Sequence, residues 1–165
     1  MNKELSQYIK EAKNIVVFTG AGISTESGIP DFRGPQGVWK TNTPIYFQDF
    51  IGSEKVRKES WKRKFSGKDI VKKAKPNTGH FAVAEIINKH QSAYLITQNV
   101  DNLHQDAGVP EDKITEIHGN ASYASCLDCE TRYELRPIKK VFLENGAVPY
   151  CDLCGGIIKT ATVSF

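Results

Sequence analysis

The stretch GAGISTESGIPDFRG, residues 20–34, decides how the fold is interpreted. It holds four glycines, two acidic residues and one arginine, and it follows the apolar run NIVVFTG of residues 14–20. A continuous apolar run that ends at a glycine is typical of a strand buried on both faces. A glycine-rich turn after such a strand lets the backbone approach a ligand, and a following helix attracts an anion such as a pyrophosphate. We therefore predict a phosphate-binding turn, although the third glycine of GxGxxG is missing and a plain tight turn explains the glycines nearly as well.

Helix and strand patterns alternate along the rest of the chain. We predict an amphipathic helix over residues 3–13, a helix over 77–90, and further strands over 92–99 and 112–119. Strands that are separated by helices indicate a parallel sheet in an α/β fold. The residues that we expect to face the core from the second helix are Phe81, Ala84 and Ile87.

The composition excludes some classes of protein. Of the residues, 39% are hydrophobic and 25% are charged, and the formal net charge is +3. So small a charge does not favour nucleic acid as a partner. The first 14 residues lack the apolar core of a signal peptide, and no apolar run in the sequence is long enough to span a membrane. We therefore expect a cytoplasmic protein with no membrane contact.

Residues 55–75 concentrate the basic charge, with ten Lys or Arg against two acidic residues. Apolar side chains recur there every four to five residues, which predicts a helix with one buried stripe. A solvated helical face is the interpretation we prefer, and a surface for an acidic partner or nucleic acid is the alternative. The expected stripe consists of Val56, Trp61, Phe65 and Ile70.

Polar side chains follow the second and third predicted strands. TQNVDNLH spans residues 97–104, and HG occupies positions 118 and 119. The carboxyl ends of neighbouring parallel strands line one crevice, so these groups and the glycine-rich turn are expected to converge. Loop capping is an alternative role for Asn99, Asp101 or Asn102 taken singly. It explains less well why all three lie beside one crevice.

The four cysteines form two CxxC pairs, Cys126 with Cys129 and Cys151 with Cys154, separated by 21 residues. This spacing is close to that of four-thiolate zinc ribbons. Disulfide bonds are the alternative, but they require an oxidising compartment, and the lack of a signal peptide argues against one. A catalytic redox site would need one CxxC pair and not two. Four thiolates close the coordination sphere, so we predict a structural zinc ion with no open position for catalysis.

Taken in order, GAGISTESGIPDFRGPQGVW, TQNVDN, HG and the paired CxxC motifs resemble the bacterial type of sirtuin. Sirtuins are the silent-information-regulator family of NAD-dependent protein deacylases. The resemblance runs from about residue 14 to the end of the chain. It implies an α/β fold with an incomplete Rossmann-like parallel sheet and a small inserted four-cysteine zinc ribbon. The implied boundaries are 1–120 for the NAD-binding Rossmann-like part, 121–157 for the zinc subdomain and 158–165 for a strand that returns into the Rossmann-like part.

The resemblance also implies which residues hold the dinucleotide. It places Arg33 near the phosphates and the nicotinamide ribose, and Phe32 over the reacting face of the sugar. An aromatic side chain there would keep water away from the cationic sugar. The turn residues implied to bind NAD are Gly20, Ala21, Gly22, Ser24, Thr25, Asp31, Phe32 and Arg33.

By the same resemblance, Gln98 and Asn99 face the nicotinamide ribose and its waters, while Val100 and Asp101 face the nicotinamide carboxamide. His118 is the implied general base. In the implied reaction, an acyl-lysine carbonyl oxygen attacks the anomeric carbon as nicotinamide leaves. A base then activates a ribose hydroxyl, and an imidazole titrating near neutrality suits that task. The products would be nicotinamide and O-acyl-ADP-ribose.

The remaining histidines are expected to be structural. His80 lies near the start of a predicted helix and His90 lies at its end, where a cation favours the helix dipole. His104 follows the polar cluster, and we expect it to pack against that cluster or support it.

The chain ends at IIKTATVSF, on a predicted strand, where the family would continue into the second half of its nucleotide-binding fold. We therefore expect a truncated chain that self-associates through an unprotected edge. The expected partners are proteins or peptides with acylated lysines. The alternatives are ADP-ribosyl transfer at the same site, a catalytically dead fragment, and a zinc-ribbon binding module.

Overall fold

The computed structural model describes residues 3–31, 34, 43–66 and 73–164. Within these ranges the chain forms two three-stranded sheets with helices packed against them. The helices are α1 (Lys3–Glu11), α2 (Phe47–Gly52), α3 (Glu54–Ser66), α4 (Thr78–Lys89), α5 (Leu103–Asp106) and α6 (Leu135–Asn145). The strands are β1 (Ile15–Thr19), β2 (Ala93–Thr97), β3 (Ile114–Glu116), β4 (Gly119–Cys126), β5 (Arg132–Glu134) and β6 (Ile158–Thr162). Short 3₁₀ helices cover Ala21–Ser27 and Glu111–Lys113.

The first sheet is parallel, with strand order β1-β2-β3. Thr19 of β1 lies opposite Thr97 of β2, and Thr97 lies opposite Glu116 of β3. The three strands therefore end side by side at one edge. This confirms the predicted α/β fold and the alignment of the three polar segments.

The prediction that β1 is buried on both faces is wrong. Val16 and Phe18 point to one face and are 65% and 58% exposed. Ile15 and Val17 point to the other face and pack with α4 residues such as Ala84. An apolar run shows that both faces of a strand are suited to burial. Whether the second face is buried depends on another segment of the chain packing against it. Within the described ranges, only one face of β1 has such a layer.

Helix α4 begins where the sequence predicts. The Asn77 side chain accepts a hydrogen bond from the Gly79 N–H (2.9 Å), and His80 Nδ1 accepts one from the Asn77 N–H (3.3 Å), which together form a capping box. Ala84 and Ile87 face the core as expected. Phe81 does not, since it is 54% exposed and His80 is buried in its place.

The second sheet is antiparallel, with order β5-β4-β6. Its core includes Cys126, Cys151 and Ile158, and Trp61 of α3 packs into the same cluster. The basic helix therefore buries an apolar stripe as predicted, although Ile70 lies outside the described residues. Strand β6 joins this antiparallel sheet and not the parallel one. The domain boundaries and the self-association through β6 stay predictions.

No helix among the described residues is long and apolar enough to cross a membrane.

Gly119 joins the two sheets at a position where only glycine fits. Its φ is +71°, in the left-handed region, and an added Cβ would collide with the carbonyl oxygen of Ala161. His118 directly precedes it, and the His118 carbonyl accepts a hydrogen bond from the Val163 N–H (2.9 Å). The backbone at Gly119 therefore determines how β4 and β6 meet beside His118.

We expect Gly119→Ala to lower the free energy of unfolding by about 2 kcal/mol or more, because positive-φ strain alone costs about 1–3 kcal/mol. Urea denaturation followed by circular dichroism measures the change. The control is Gly52→Ala, where an added Cβ meets nothing within 4 Å. Equal stability of the two variants would contradict the steric argument.

Candidate functional site

A cleft of about 960 Å³ lies at the carboxyl ends of β1, β2 and β3. Backbone hydrogen bonds continue past the strand ends, from Gln98 N to the Thr19 carbonyl (2.9 Å) and from Ile117 N to the Thr97 carbonyl (3.0 Å). The three loops are therefore held close to one another. The predicted site residues that line the cleft are Ala21, Asp31, Gln98, Asn99, Val100 and His118.

The glycine-rich turn folds into the 3₁₀ helix Ala21–Ser27. Gly20 has extended backbone, and an added Cβ there would lie 3.9 Å from Gln98 Oε1, so the turn passes close to the loop after β2. Gly28 ends the helix with a φ of +83°. Thr25 donates to the Gly22 carbonyl (2.8 Å) and so stabilises the turn itself. The predicted turn is confirmed, and its binding of a phosphate stays a prediction.

Ser24 is 1% exposed and connects the turn to the loop after β2. Its hydroxyl donates to Asp101 Oδ2 (2.6 Å) and accepts from Asn99 Nδ2 (3.2 Å). His80 Nδ1 already accepts the Asn77 N–H, so His80 Nε2 carries the proton and donates to Ser24 Oγ (3.4 Å). All the hydrogen-bonding capacity of this hydroxyl is therefore used.

His118 is partly exposed and lies at the mouth of the loop after β3. Its Nδ1 lies 3.0 Å from the carbonyl oxygen of Gln98. A carbonyl only accepts, so Nδ1 donates its proton and Nε2 is the basic nitrogen of the ring. This tautomer is the one that a general base needs if Nε2 is to take a proton in the cleft.

Two threonine hydroxyls, which we call the threonine bridge, lie behind the cleft wall. Thr19 Oγ1 donates to Thr97 Oγ1 (2.8 Å), and Thr97 Oγ1 also accepts the Asn99 N–H (3.0 Å). His104 Nε2 lies 2.9 Å from Thr19 Oγ1. The His104 and His80 rings are 4.9 Å apart. His104 is 1% exposed, so it lies inside the core against the polar cluster, as expected.

Two predicted residues, Phe32 and Arg33, lie outside the described residues. Gly20, Gly22, Ser24 and Thr25 are described but do not line the cleft, and neither does Asp101. Its second oxygen accepts the Leu103 N–H (3.0 Å), so both carboxylate oxygens hold the protein together. The contact of Asp101 with a ligand stays a prediction.

Sequence reasoning missed several cleft residues, among them Pro44, Tyr46, Ile117 and Val163. These residues are apolar or uncharged and belong to no motif, so no local pattern indicated them. They reach the cleft because segments distant in sequence meet there. Ile117 alone could have been found, because it precedes His118 at the end of a predicted strand.

The four cysteines form a second cluster, at the far end of β4. Their sulfur atoms all lie within 4.8 Å of one another, and Cys126 Sγ and Cys154 Sγ are 3.5 Å apart. A disulfide has an S–S distance of about 2.05 Å, whereas tetrahedral Zn–S bonds of about 2.3 Å place sulfurs about 3.8 Å apart. All four are free thiols. The donor set and spacing therefore fit a structural zinc ion.

Two of the four sulfur atoms accept hydrogen bonds from groups outside the cluster. Asp128 N donates to Cys126 Sγ (3.4 Å), and the Tyr133 hydroxyl, which also contacts Asp152 Oδ1, lies in donor position 3.0 Å from Cys151 Sγ. The Tyr133 hydrogen bond lowers the pKa of Cys151 to about 6. A Cβ on Gly156 would lie 2.8 Å from Cys126 Sγ, so the turn closes tightly over the sulfurs.

We expect Cys151→Ser to lose bound zinc and to melt at a lower temperature, because structural zinc contributes apparent binding free energies of about 10–16 kcal/mol in small peptides. Elemental analysis of the purified protein and a thermal melt measure both effects. Leu153→Ser is the matched control, since this exposed side chain lies on the same turn. One zinc per chain retained in Cys151→Ser would overturn the four-thiolate site.

We also expect stability to fall as the pH falls from about 6.5 to about 4. Burial lowers the pKa of His104 to about 4, with a further decrease from His80 and a smaller increase from Asp101. Between the two pH values the unfolded chain binds a proton that the folded chain does not, which costs about 1.4 kcal/mol per pH unit. Burial lowers the pKa of His80 as well.

Urea denaturation at pH 7, 6 and 5 measures this dependence. His104→Gln should show a shallower loss of stability than the parent chain, whereas the control His90→Gln should match the parent. Protonation of the zinc ligands affects every variant alike. The same slope in His104→Gln and the parent would refute the assignment to His104.

The Sir2 family model matches residues 20–165. The chain is 46% identical over 163 residues to an NAD-dependent protein deacetylase of Rhodopseudomonas palustris, covering 99% of this chain and 64% of that protein. The chain thus spans just under two thirds of that relative's length.

Solved structures give the same result. A Sir2 complex with p53 peptide and NAD⁺ superimposes with a TM-score of 0.80 at 37% identity, over 100% of this chain and 65% of that one. A Sir2 variant with deacetylated p53 peptide and 3′-O-acetyl-ADP-ribose superimposes with a TM-score of 0.81 at 38% identity, over 99% of this chain and 65% of that one. The chain belongs to the Sir2 family.

Proposed function

We propose that this chain removes acyl groups, acetyl among them, from protein lysines in a reaction that consumes NAD. The observation that supports the proposal most strongly is the convergence of the glycine-rich turn, the loop after β2 and His118 on one cleft. The named relative is an NAD-dependent protein deacetylase. A related complex contains a peptide, which supports peptide or protein substrates. The cytoplasmic location stays a prediction.

The cleft has the features that a dinucleotide requires. Its volume of about 960 Å³ is at the upper end of ordinary ligand pockets, and a bound dinucleotide is large. Gly22 would have open space around an added Cβ, so a ligand can approach the turn backbone. NAD would supply a glycosidic bond to nicotinamide whose cleavage leaves an electrophilic sugar carbon. Gly20, Ala21 and Gly22 would hold the phosphates.

The side chains on the cleft wall would orient the sugar and nicotinamide. Asn99 is fixed on two sides, by its backbone N–H on Thr97 and its amide on Ser24, so it would present a rigid wall to the ribose. Gln98 accepts the His118 Nδ1–H through its backbone, which leaves its side chain for the ligand. His118 Nε2 would take the ribose hydroxyl proton after nicotinamide leaves.

The four-cysteine centre would not take part in the reaction. All four ligand positions are thiols, so the ion would have no place for water or substrate. Its proposed role is to hold the second sheet, with residues 121–157 as the zinc subdomain.

The test mixes the chain with NAD and an acetyl-lysine peptide and measures nicotinamide release and peptide mass. We expect His118→Ala to deacetylate at least about 10²-fold more slowly, since general-base catalysis contributes about 10²–10⁴-fold. Exchange of labelled nicotinamide into NAD should persist in this variant, because the base acts after that step.

The matched control is His90→Ala at the end of α4, which should deacetylate at the parent rate. Full deacetylation by His118→Ala would refute the base assignment. Nicotinamide release with the ADP-ribosyl group retained on the peptide would favour ADP-ribosyl transfer. No nicotinamide release by the parent chain would favour the catalytically dead fragment or binding module.

A further inference from the structure

His104 starts a row of hydrogen bonds that ends at the cleft. Its Nε2 meets Thr19 Oγ1 at 2.9 Å, the threonine bridge continues to Thr97, and Thr97 Oγ1 accepts the Asn99 N–H at 3.0 Å. His104 belongs to α5, the two threonines end β1 and β2, and Asn99 lines the cleft. The row therefore connects a residue inside the core to the cleft wall.

The donor and the acceptor in each hydrogen bond of the row follow from the protons that each group carries. Thr19 has one hydroxyl proton and donates it to Thr97, so its contact with His104 requires the ring to donate. His104 is thus the Nε2–H tautomer. Its Nδ1 is buried and bonds to no described residue. As a bare lone pair, Nδ1 is tolerated inside a protein more readily than an unpaired N–H would be.

Water does not compete for these bonds, because His104, Thr19, Thr97 and Asn99 are all buried. Hydrogen bonds are stronger in such a low-dielectric environment, and a missing partner costs more. A protonated ring would place a second N–H at Nδ1, where no described residue accepts it. The neutral form is also the one that burial favours, since it lowers the pKa of His104.

We propose that His104 is a positioning residue for the cleft: its Nε2–H orients the threonine bridge, so that Thr97 holds the Asn99 backbone in place. His104 does not line the cleft and acts only through Thr19, Thr97 and Asn99. The consequence for catalysis rests on the proposed function, because Asn99 is the residue that would face the nicotinamide ribose of NAD.

Three variants distinguish the effect of the Nε2–H donor of His104 from the effect of the volume that its ring fills. His104→Gln keeps an amide N–H that can reach the position of Nε2. His104→Leu fills similar space without a donor. Thr19→Val removes the middle hydroxyl and nearly preserves the side-chain shape.

The first readout is amide hydrogen exchange followed by NMR, which requires no NAD. We expect the exchange rate of Asn99, divided by that of Leu95 in the core of β2, to rise about fivefold in His104→Leu and Thr19→Val, because one hydrogen bond contributes about 1 kcal/mol. The ratio in His104→Gln should stay within about twofold of the parent. General destabilisation would accelerate both amides and leave the ratio unchanged, and that result would overturn the proposal. A ratio in His104→Gln as high as in His104→Leu would overturn it too.

The second readout is nicotinamide release with NAD and acetyl-lysine peptide. A displaced Asn99 should lower kcat about fivefold in His104→Leu and change KM for NAD by less than about twofold, with His104→Gln restoring kcat. An unchanged kcat beside a raised exchange ratio would overturn the catalytic consequence. No turnover by the parent chain would refute the proposed function, while the exchange ratio would still decide the role of His104.

Discussion

The hydrogen bond from Ser24 Oγ to Asp101 Oδ2 is the interaction on which the candidate site depends. At 2.6 Å it joins the turn after β1 to the loop after β2, and Ser24 is almost fully buried. Hydrogen bonds to charged groups contribute about 1.5–3 kcal/mol, and removal of one partner leaves the other unsatisfied. The hydrogen bond that Asn99 Nδ2 donates to Ser24 Oγ (3.2 Å) is a second and longer side-chain bond between the same two loops. The cleft wall is thus formed before any ligand arrives, which is what an oriented site requires.

This bond also connects the cleft wall to the hydrogen-bonded groups of the core. The second oxygen of Asp101 accepts the Leu103 N–H, so the same carboxylate holds the start of α5. Ser24 accepts from His80, whose other ring nitrogen completes the capping box of α4. Helix ends, a buried histidine and the cleft wall therefore share one hydrogen-bonded network. In such a network each group limits the positions of its neighbours, so the cleft stays rigid as long as the core stays packed.

The sequence predicted those features that local patterns encode. The strand ends carry their polar residues at the next position along the chain, and parallel pairing brought Asn99 and His118 together without further information. The CxxC spacing predicted the thiol cluster for a similar reason. The exposed face of Val16 and the cleft position of Tyr46 were missed, because both depend on which distant segment packs there. His80 was expected to be structural, and sequence position could not show that its second nitrogen reaches Ser24.

The cleft and the thiol cluster occupy opposite ends of the same pair of strands. Strand β4 begins at Gly119, beside His118, and ends at Cys126, while β6 begins at Ile158 opposite Cys126 and ends at Thr162 opposite Gly119. A slip of one residue in this pairing would turn each side chain to the wrong face. The cysteine turns fix the register at one end, and the irregularity between Gly119 and Ala124 adjusts it at the other. The thiol cluster therefore supports the pairing of β4 with β6 at the end away from the cleft, while Gly119 sets their approach beside His118.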